Sequence, residues 1–343
     1  MTTTAPSTSN LQSIQLLRGV AALSVVYVHT LAIPNFGLFG VDIFFVISGF
    51  VMALVTAKNT NPKSFLLHRL IRIVPLYWIL TTCLVVVIVV APNLLSSTTL
   101  NFSNYLKSLF FIPYFKESHL IQPFLFVGWT LNYEMLFYLC ITLGLVISSR
   151  HYLTIAISAL VLIYLSFGIS SDSPLLKGFF GSSKIFEFVL GILAYEIYSG
   201  GYLKKIPYQF AIMISALCLA IMIYSEVQQL KIDSFITFGI PSFFLLLSTI
   251  SLEPLMHGVF VKTIASFVGD TSYAIYLSHA FVVEFLRKVV MKHFDFLQNH
   301  VGVMVLAALV ASIFVGYLLH RFLDQPIQSY LKRLLLQRIS SPR

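Results

Sequence analysis

Ten apolar segments of the chain are each long enough to cross a membrane, because a spanning helix needs about 20 residues. Only 10% of the 343 residues are charged and 58% are hydrophobic, whereas a soluble domain carries about 25% charged residues. The sequence therefore predicts an all-α integral membrane protein, a bundle of about ten transmembrane helices. The ten segments lie at 11–33, 37–57, 73–91, 128–148, 151–169, 179–199, 207–225, 233–251, 264–287 and 301–323.

The sequence between these segments is short, which leaves no room for a large soluble domain. We expect one membrane domain over residues 1–343, with a polar N-terminal tail at 1–10 and a basic C-terminal tail at 327–343. The first apolar segment is too long for the core of a signal peptide and lacks a convincing cleavage site, so we expect it to be retained. A further stretch at 104–113 is too short to span and indicates an interfacial or re-entrant helix.

The basic residues predict the orientation, because lysine and arginine accumulate on the cytoplasmic side of membrane proteins. With both termini in the cytoplasm, 14 of the 22 lysines and arginines fall inside and 8 fall outside. The longest loop, at about 92–127, then faces outward. The same distribution explains the net charge of +9 without any nucleic-acid partner.

Within the first apolar segment lie one arginine, Arg18, and one histidine, His29, which are eleven residues apart. On a helix this spacing brings the two side chains to within about 20° of each other and roughly 16 Å apart along the axis. A charge in hydrocarbon costs several kcal/mol unless it is paired or hydrated. The pair therefore indicates a polar seam that faces the bundle interior. The alternative is that Arg18 reaches to the interface and His29 makes an interhelical hydrogen bond.

An acid follows the turn that comes after this segment. The turn at 34–37 reverses the chain, so Asp42 is expected at a depth similar to that of His29. A carboxylate beside an imidazole can fix its tautomer and raise its basicity, which suits a general base. The alternative is that Asp42 caps the second helix, since acids are favoured at helix N-termini.

Two arginines, Arg69 and Arg72, stand three residues apart at the predicted cytoplasmic entrance of the third span, and this spacing puts them on one helix face. The planar guanidinium donates two hydrogen bonds at once, which suits phosphate recognition. The alternative is ordinary basic flanking of a span.

Two further polar residues enter apolar segments. Glu134 lies at the predicted outer end of the fourth span, and a carboxylate inside a membrane is a functional-site hypothesis by default; its alternative role is as the partner of a cation. His279 ends a polar stripe with Ser272 and Tyr276 at helical spacing. It is a catalytic candidate or a polar packing residue.

Taken together, these stretches resemble the acyltransferase-3 family of integral-membrane O-acyltransferases, over nearly the whole chain. The likeness is closest to the stand-alone members that acetylate bacterial exopolysaccharide. The motifs that carry the resemblance are Arg18 with ten residues before His29, Gly40-Val41-Asp42-Ile43-Phe44-Phe45-Val46-Ile47-Ser48-Gly49-Phe50, Arg69 with Arg72 and Pro75-x-Tyr77, Trp129-Thr130-Leu131 with Glu134, and Ser272-Tyr273-x-x-Tyr276-Leu277-x-His279.

The resemblance implies ten spans in a bacterial inner membrane, acetyl-CoA (or another acyl-CoA) taken from the cytoplasm, and a glycan or lipid-linked saccharide as acceptor. It implies that His29 is essential and that Arg18, Arg69 and Arg72 bind the donor. On this basis the arginines hold the donor phosphates, the pantetheine arm extends along the polar seam, and His29, oriented by Asp42 or Glu134, deprotonates a sugar hydroxyl. Direct transfer and transient acylation of the protein both remain open, as does the oligomeric state.

The chain departs from the family pattern in two places. His68 stands before Arg69, where the family often has a second basic residue, and a histidine is mostly neutral at pH 7. The final span ends in Asp324-Gln325-Pro326 where a glutamate is common, and this sequence predicts the end of a helix.

Other functions remain possible from sequence. A glycan or acyl-group transporter would also use charges inside the membrane, but it would predict internal repeats, and none is evident. A subunit of a polysaccharide export complex would not need the seam of Arg18 and His29. Cys83, Cys140 and Cys218 lack metal-binding spacing and are expected to be packed thiols, so we expect no metal cofactor.

Overall fold

A computed structural model describes residues 11–30, 32–90, 101–290, 293 and 300–340, with side chains up to residue 335. The tail at 1–10, part of the predicted outer loop at 91–100 and the last residues at 341–343 lie outside the described residues. The described backbone is helical apart from turns, loops and one isolated bridge between Phe115 and Ile121.

Thirteen α-helices occur in these ranges. They are α1 Gln12–Val28, α2 Phe39–Thr56, α3 Pro62–Val90, α4 Phe102–Leu109, α5 Trp129–Ile147, α6 Tyr152–Ile163, α7 Pro174–Phe180, α8 Ile185–Ser199, α9 Tyr208–Val227, α10 Ile240–Ser251, α11 Val259–Phe285, α12 Val301–Leu319 and α13 Gln325–Ser340.

The prediction of an all-α membrane protein is confirmed. In the described ranges, seven helical stretches are long and apolar enough to cross a membrane, and two shorter apolar helices lie at Gln12–Val28 and Phe235–Ser251. The remaining predicted segment, at 264–287, falls on α11, which has 27 residues. The stretch at 104–113 forms the short helix α4.

Two details of the prediction are wrong. Asp324-Gln325-Pro326 does not end a helix, because a π-helical turn at His320–Asp324 leads directly into α13. Pro326 is the second residue of α13 and directly follows this turn, and residues expected to form a basic tail are helical up to Ser340. Cys83 is exposed rather than packed, whereas Cys140 and Cys218 are buried.

The chain forms two compact units. The first contains Met1–Asn59 and Ser183–Tyr317, and the second contains Thr60–Ser182 and Leu318–Arg343. The first unit therefore holds α1, α2 and α8 to α12, and the second holds α3 to α7 and α13. The expectation of one membrane domain stays a prediction.

In the first unit, α1 packs along α11 and α2 packs along α8. A Cβ atom added at Gly269 would lie 2.2 Å from Gln15 Oε1, and ten residues beyond Gly269 the ring of His279 meets that of His29. The contacts advance in the same direction on both helices, so α1 and α11 run parallel.

Glycine also sets the contact between α2 and α8. A Cβ atom at Gly49 would lie 2.1 Å from the carbonyl oxygen of Phe188, and one at Gly191 would lie 2.1 Å from that of Val46. Only glycine permits this approach of the two backbones. Asp42 pairs with Lys184 before this contact, and Phe50 meets Tyr198 after it, so these helices are also parallel.

In the second unit, α3 and α5 are antiparallel neighbours. Phe65 contacts Tyr138 near one end of the contact, and Tyr77 lies against Gly128 at the other. The short helix α4 is fixed to α3, because Tyr77 Oη donates to the carbonyl of Ser108 over 3.1 Å and Trp78 Nε1 donates to that of Leu109 over 2.8 Å.

Candidate functional site

The polar seam predicted on α1 lies along α11. Arg18 Nη1 donates to Gln15 Oε1 over 3.3 Å, and Gln15 Nε2 donates to Asp270 Oδ1 of α11, also over 3.3 Å. Further along both helices, the ring of His29 lies against the ring of His279 of α11. His29 therefore meets α11 directly, and Arg18 is linked to α11 through Gln15.

His29 immediately follows α1 as its C-terminal cap. Its Nδ1 atom is 2.8 Å from the carbonyl oxygen of Val25. Because a carbonyl can only accept, Nδ1 carries the ring proton and Nε2 keeps its lone pair in the neutral imidazole. The backbone thus sets the tautomer that a general base needs at Nε2.

His279 is completely buried on α11, and its ring centroid is 5.0 Å from that of His29. Its Nδ1 atom is 2.6 Å from the carbonyl oxygen of Tyr276, so its Nε2 also keeps a lone pair. That Nε2 atom has no hydrogen-bond partner among the described residues.

Asp42 is buried in the first turn of α2 and pairs with Lys184, the residue that precedes α8. Lys184 Nζ also lies 3.9 Å from Glu187 Oε1. The capping alternative for Asp42 is not what the structure describes. The backbone N–H groups of Gly37 and Leu38 instead donate to the carboxylate of Glu226, at 2.8 and 2.9 Å.

In the second unit, Arg72 Nη1 is 3.5 Å from Asp324 Oδ2. His320 Nδ1 lies 3.1 Å from the same carboxylate oxygen, and Gln328 Nε2 donates to the other one over 2.8 Å. The residue that was expected only to end a helix is therefore the anchor that fixes Arg72.

Arg69 lies one turn before Arg72 on α3, across from α5. Glu134 and Tyr138 of α5 and Arg72 are the groups that act on it electrostatically. Glu134 accepts a hydrogen bond from Tyr138 Oη over 2.9 Å. Glu134 is thus an electrostatic neighbour of the Arg69 cation. Its catalytic role stays a prediction.

Sequence reasoning missed three of these partners. Lys184 and Asp270 lie far from Asp42 and Gln15 in sequence, and no local pattern announces such a pair. Asp324 gave a signal, since a carboxylate at the end of an apolar segment needs a cation, but the following proline indicated a helix end instead. Among the described residues, no group of three or more histidines, cysteines and acids could hold a metal ion.

Comparison with known sequences supplies the family. The profile of the acyltransferase-3 family, described as "Acyltransferase domain", matches residues 11–323. No solved structure matches the chain.

Two curated relatives illustrate the likeness. "Exopolysaccharide production protein ExoZ" of Rhizobium meliloti (strain 1021) is 30% identical over 296 residues, which cover 85% of this chain and 89% of that protein. "Putative O-acetyltransferase SACOL0978" of Staphylococcus aureus (strain COL) is 23% identical over 351 residues, which cover 91% of this chain and 56% of that protein. The chain thus spans little more than half the length of the staphylococcal relative.

Proposed function

The chain belongs to the acyltransferase-3 family and is a multi-pass membrane O-acetyltransferase, and we propose that it moves an acetyl group from cytoplasmic acetyl-CoA to a hydroxyl of a glycan. The acceptor is an extracytoplasmic or lipid-linked saccharide. The proposal includes an inner bacterial membrane with both termini in the cytoplasm. ExoZ, the relative named for exopolysaccharide production, supports a polysaccharide acceptor.

The observation that carries the proposal is the tautomer of His29. Its Nδ1–H is held by the carbonyl of Val25, which leaves Nε2 as a base at the end of an apolar helix. Removal of the hydroxyl proton is the step that makes a sugar oxygen nucleophilic enough to attack a thioester. A positioned histidine contributes about 10²–10⁴-fold to such a reaction.

The second unit supports a site for the donor phosphates. Arg72 is fixed by the carboxylate of Asp324, which leaves its guanidinium oriented rather than free to rotate. The buried Nε–H of Arg69 has no acceptor among the described residues, and an anionic oxygen would satisfy it. A guanidinium pair of this kind fits the pyrophosphate or ribose phosphate of acetyl-CoA.

In the proposed reaction, His29 Nε2 takes the proton as the acceptor oxygen attacks the thioester carbonyl. The C–S bond then breaks, and the departing thiolate takes a proton. Arg18 assists by binding the phosphate or pantetheine portion of the donor. Asp42 and Glu134 complete the proposed catalytic set as the acids that orient His29. Asp42 contributes its negative charge while it is paired with Lys184.

Glycan acetyl content tests the proposal. We expect base-labile acetyl esters, detected by proton NMR of purified polysaccharide, in a strain that carries the protein and not in the same strain without it. His29→Ala should behave like the deletion, while His151→Ala, a change of an exposed histidine before α6, should behave like the wild type. Equal acetyl content with and without the protein would contradict the proposed acceptor.

A further inference from the structure

We propose that His279 is the proton-sharing partner of His29, so that the base of the reaction is a pair of imidazoles. The inference rests on the proposed function, since it assigns a new residue to the same reaction. It starts from the buried Nε2 atom of His279, which has no hydrogen-bond partner among the described residues. A buried acceptor without a hydrogen bond costs free energy, because it has lost water and gained no donor in its place.

The geometry limits what that donor can be. The two ring centroids are 5.0 Å apart and the ring planes are inclined at 54°. A hydrogen bond of about 2.8 Å between two ring nitrogens, added to two ring radii of roughly 1.2 Å, spans a similar distance. The ring separation therefore leaves room for one N–H···N hydrogen bond, which the resting pair does not make.

Both neutral rings are held in the same tautomer. The backbone carbonyls of Val25 and Tyr276 accept hydrogen bonds from the two Nδ1–H groups. Both Nε2 atoms therefore carry lone pairs, and neither ring can donate a proton to the other in the resting pair. When His29 becomes protonated, its new N–H is a donor and the lone pair of His279 is the acceptor that suits it. The buried positive charge is then spread over two rings, which lowers the cost of forming it away from water.

The packing of α1 against α11 holds this arrangement. A Cβ atom at Gly19 would lie 2.5 Å from Val268 Cγ2, so the backbones are as close as the side chains allow. His279 is 0% exposed, so its role is exerted through His29 rather than by binding a large substrate. We therefore assign it as a positioning residue for the proton.

The step balances in atoms and charge. The acceptor oxygen forms a bond to the acyl carbon, and the bond from that carbon to the thioester sulfur breaks. The hydroxyl proton goes to His29 Nε2, is shared with His279 Nε2, and is finally delivered to the departing thiolate. Both imidazoles end neutral and no further reactant is needed.

The test uses the purified full-length enzyme with acetyl-CoA and its polysaccharide acceptor. His279→Gln keeps a hydrogen-bond acceptor but cannot take a proton. We expect kcat to fall about 10²-fold with little change in thermal stability. The dependence of rate on the fraction of D₂O should change from curved, for two protons in motion, to linear. His257→Gln, a change of an exposed histidine before α11, should match the wild type in all three measurements.

His279→Ala provides the second arm, because it leaves a space of imidazole size. Added imidazole should restore part of the activity of this variant and none of the activity of His29→Ala. A folded His279→Gln enzyme with wild-type kcat and an unchanged D₂O profile would overturn the inference. So would a folded His279→Ala enzyme that imidazole fails to rescue. A wild-type enzyme without acetyl transfer would instead refute the proposed function itself.

Discussion

Lys184, the residue before α8, donates a hydrogen bond to Asp42 in the first turn of α2. The same ammonium lies 3.9 Å from Glu187 Oε1, and both carboxylates are buried. One lysine therefore serves two acids in the low-dielectric interior of the first unit. Breaking such a group by removing its one cation is strongly destabilising, because uncompensated charge stays behind.

Lys184→Met should accordingly lower the free energy of unfolding by about 3–5 kcal/mol. Adding Asp42→Asn to this variant should recover part of the loss, because the amide is neutral. Thermal unfolding of the detergent-solubilised protein measures both. Lys177→Met, a change of an exposed lysine on α7, serves as the control, and equal melting temperatures for the two lysine variants would contradict the buried ion pair.

Donor binding should depend on both arginines of α3. Arg69→Ala and Arg72→Ala should each weaken acetyl-CoA binding about tenfold or more, since a hydrogen bond to a charged group contributes roughly 1.5–3 kcal/mol. Arg72→Lys should not fully restore affinity, because an ammonium lacks the two-pronged geometry. Titration calorimetry with acetyl-CoA gives the Kd values.

The matched control for these variants is Arg150→Ala, a change of an exposed arginine before α6. An unchanged Kd in Arg69→Ala and Arg72→Ala, with reduced membrane insertion alone, would favour the interpretation of these arginines as basic flanking residues.

The close contact between α2 and α8 predicts that the stability cost of a Gly→Ala change depends strongly on which glycine is replaced. Gly191→Ala places a methyl group against the carbonyl of Val46 and should cost about 1–3 kcal/mol of stability. Gly302→Ala adds the same methyl group where nothing lies within 4 Å, so it should be neutral or slightly stabilising. If both variants melt at one temperature, the close approach of the two helices is wrong.

The sequence predicted the elements of the fold well, because spanning helices are marked by length and composition alone. The fourth span, expected at 128–148, is α5 at Trp129–Ile147. Local rules failed at Pro326, where a π-helical turn changes the hydrogen-bond pattern just before the proline. Such a turn lets a membrane helix accommodate a proline, but the residue types around Pro326 do not mark it in advance.

The candidate site was predictable only in part. The eleven-residue spacing placed Arg18 and His29 on one face of a helix, and in the structure His29 contacts α11 while Arg18 is linked to it through Gln15. Gln15, which accepts from Arg18, and His29 have the partners Asp270 and His279 on a helix more than 200 residues later, and pairing across that distance depends on how α1 and α11 pack. Asp42 was predicted to lie beside His29 because the two residues flank one turn. In the structure the carboxylate of Asp42 forms an ion pair with Lys184 instead.

The predicted orientation can be tested by cysteine labelling in intact cells, after Cys83, Cys140 and Cys218 are replaced. A cysteine at Ser118, in the loop before α5, should react with a membrane-impermeant reagent. One at Ser199, at the end of α8, should react only after the membrane is opened. Both serines are exposed, so access to reagent is the variable measured. The reverse labelling would put Arg69 and Arg72 on the side where acetyl-CoA is absent.

Acetyl transfer by His29 is the central claim, and inside-out membrane vesicles test it most directly. Acetyl-CoA labelled in its acetyl group is added outside, where the cytoplasmic face is now exposed, and base-labile label is counted in the polysaccharide. Wild-type vesicles should transfer label, and His29→Ala vesicles with the same amount of inserted protein should transfer about 10²–10⁴-fold less. Transfer by His29→Ala at the wild-type rate would contradict the account.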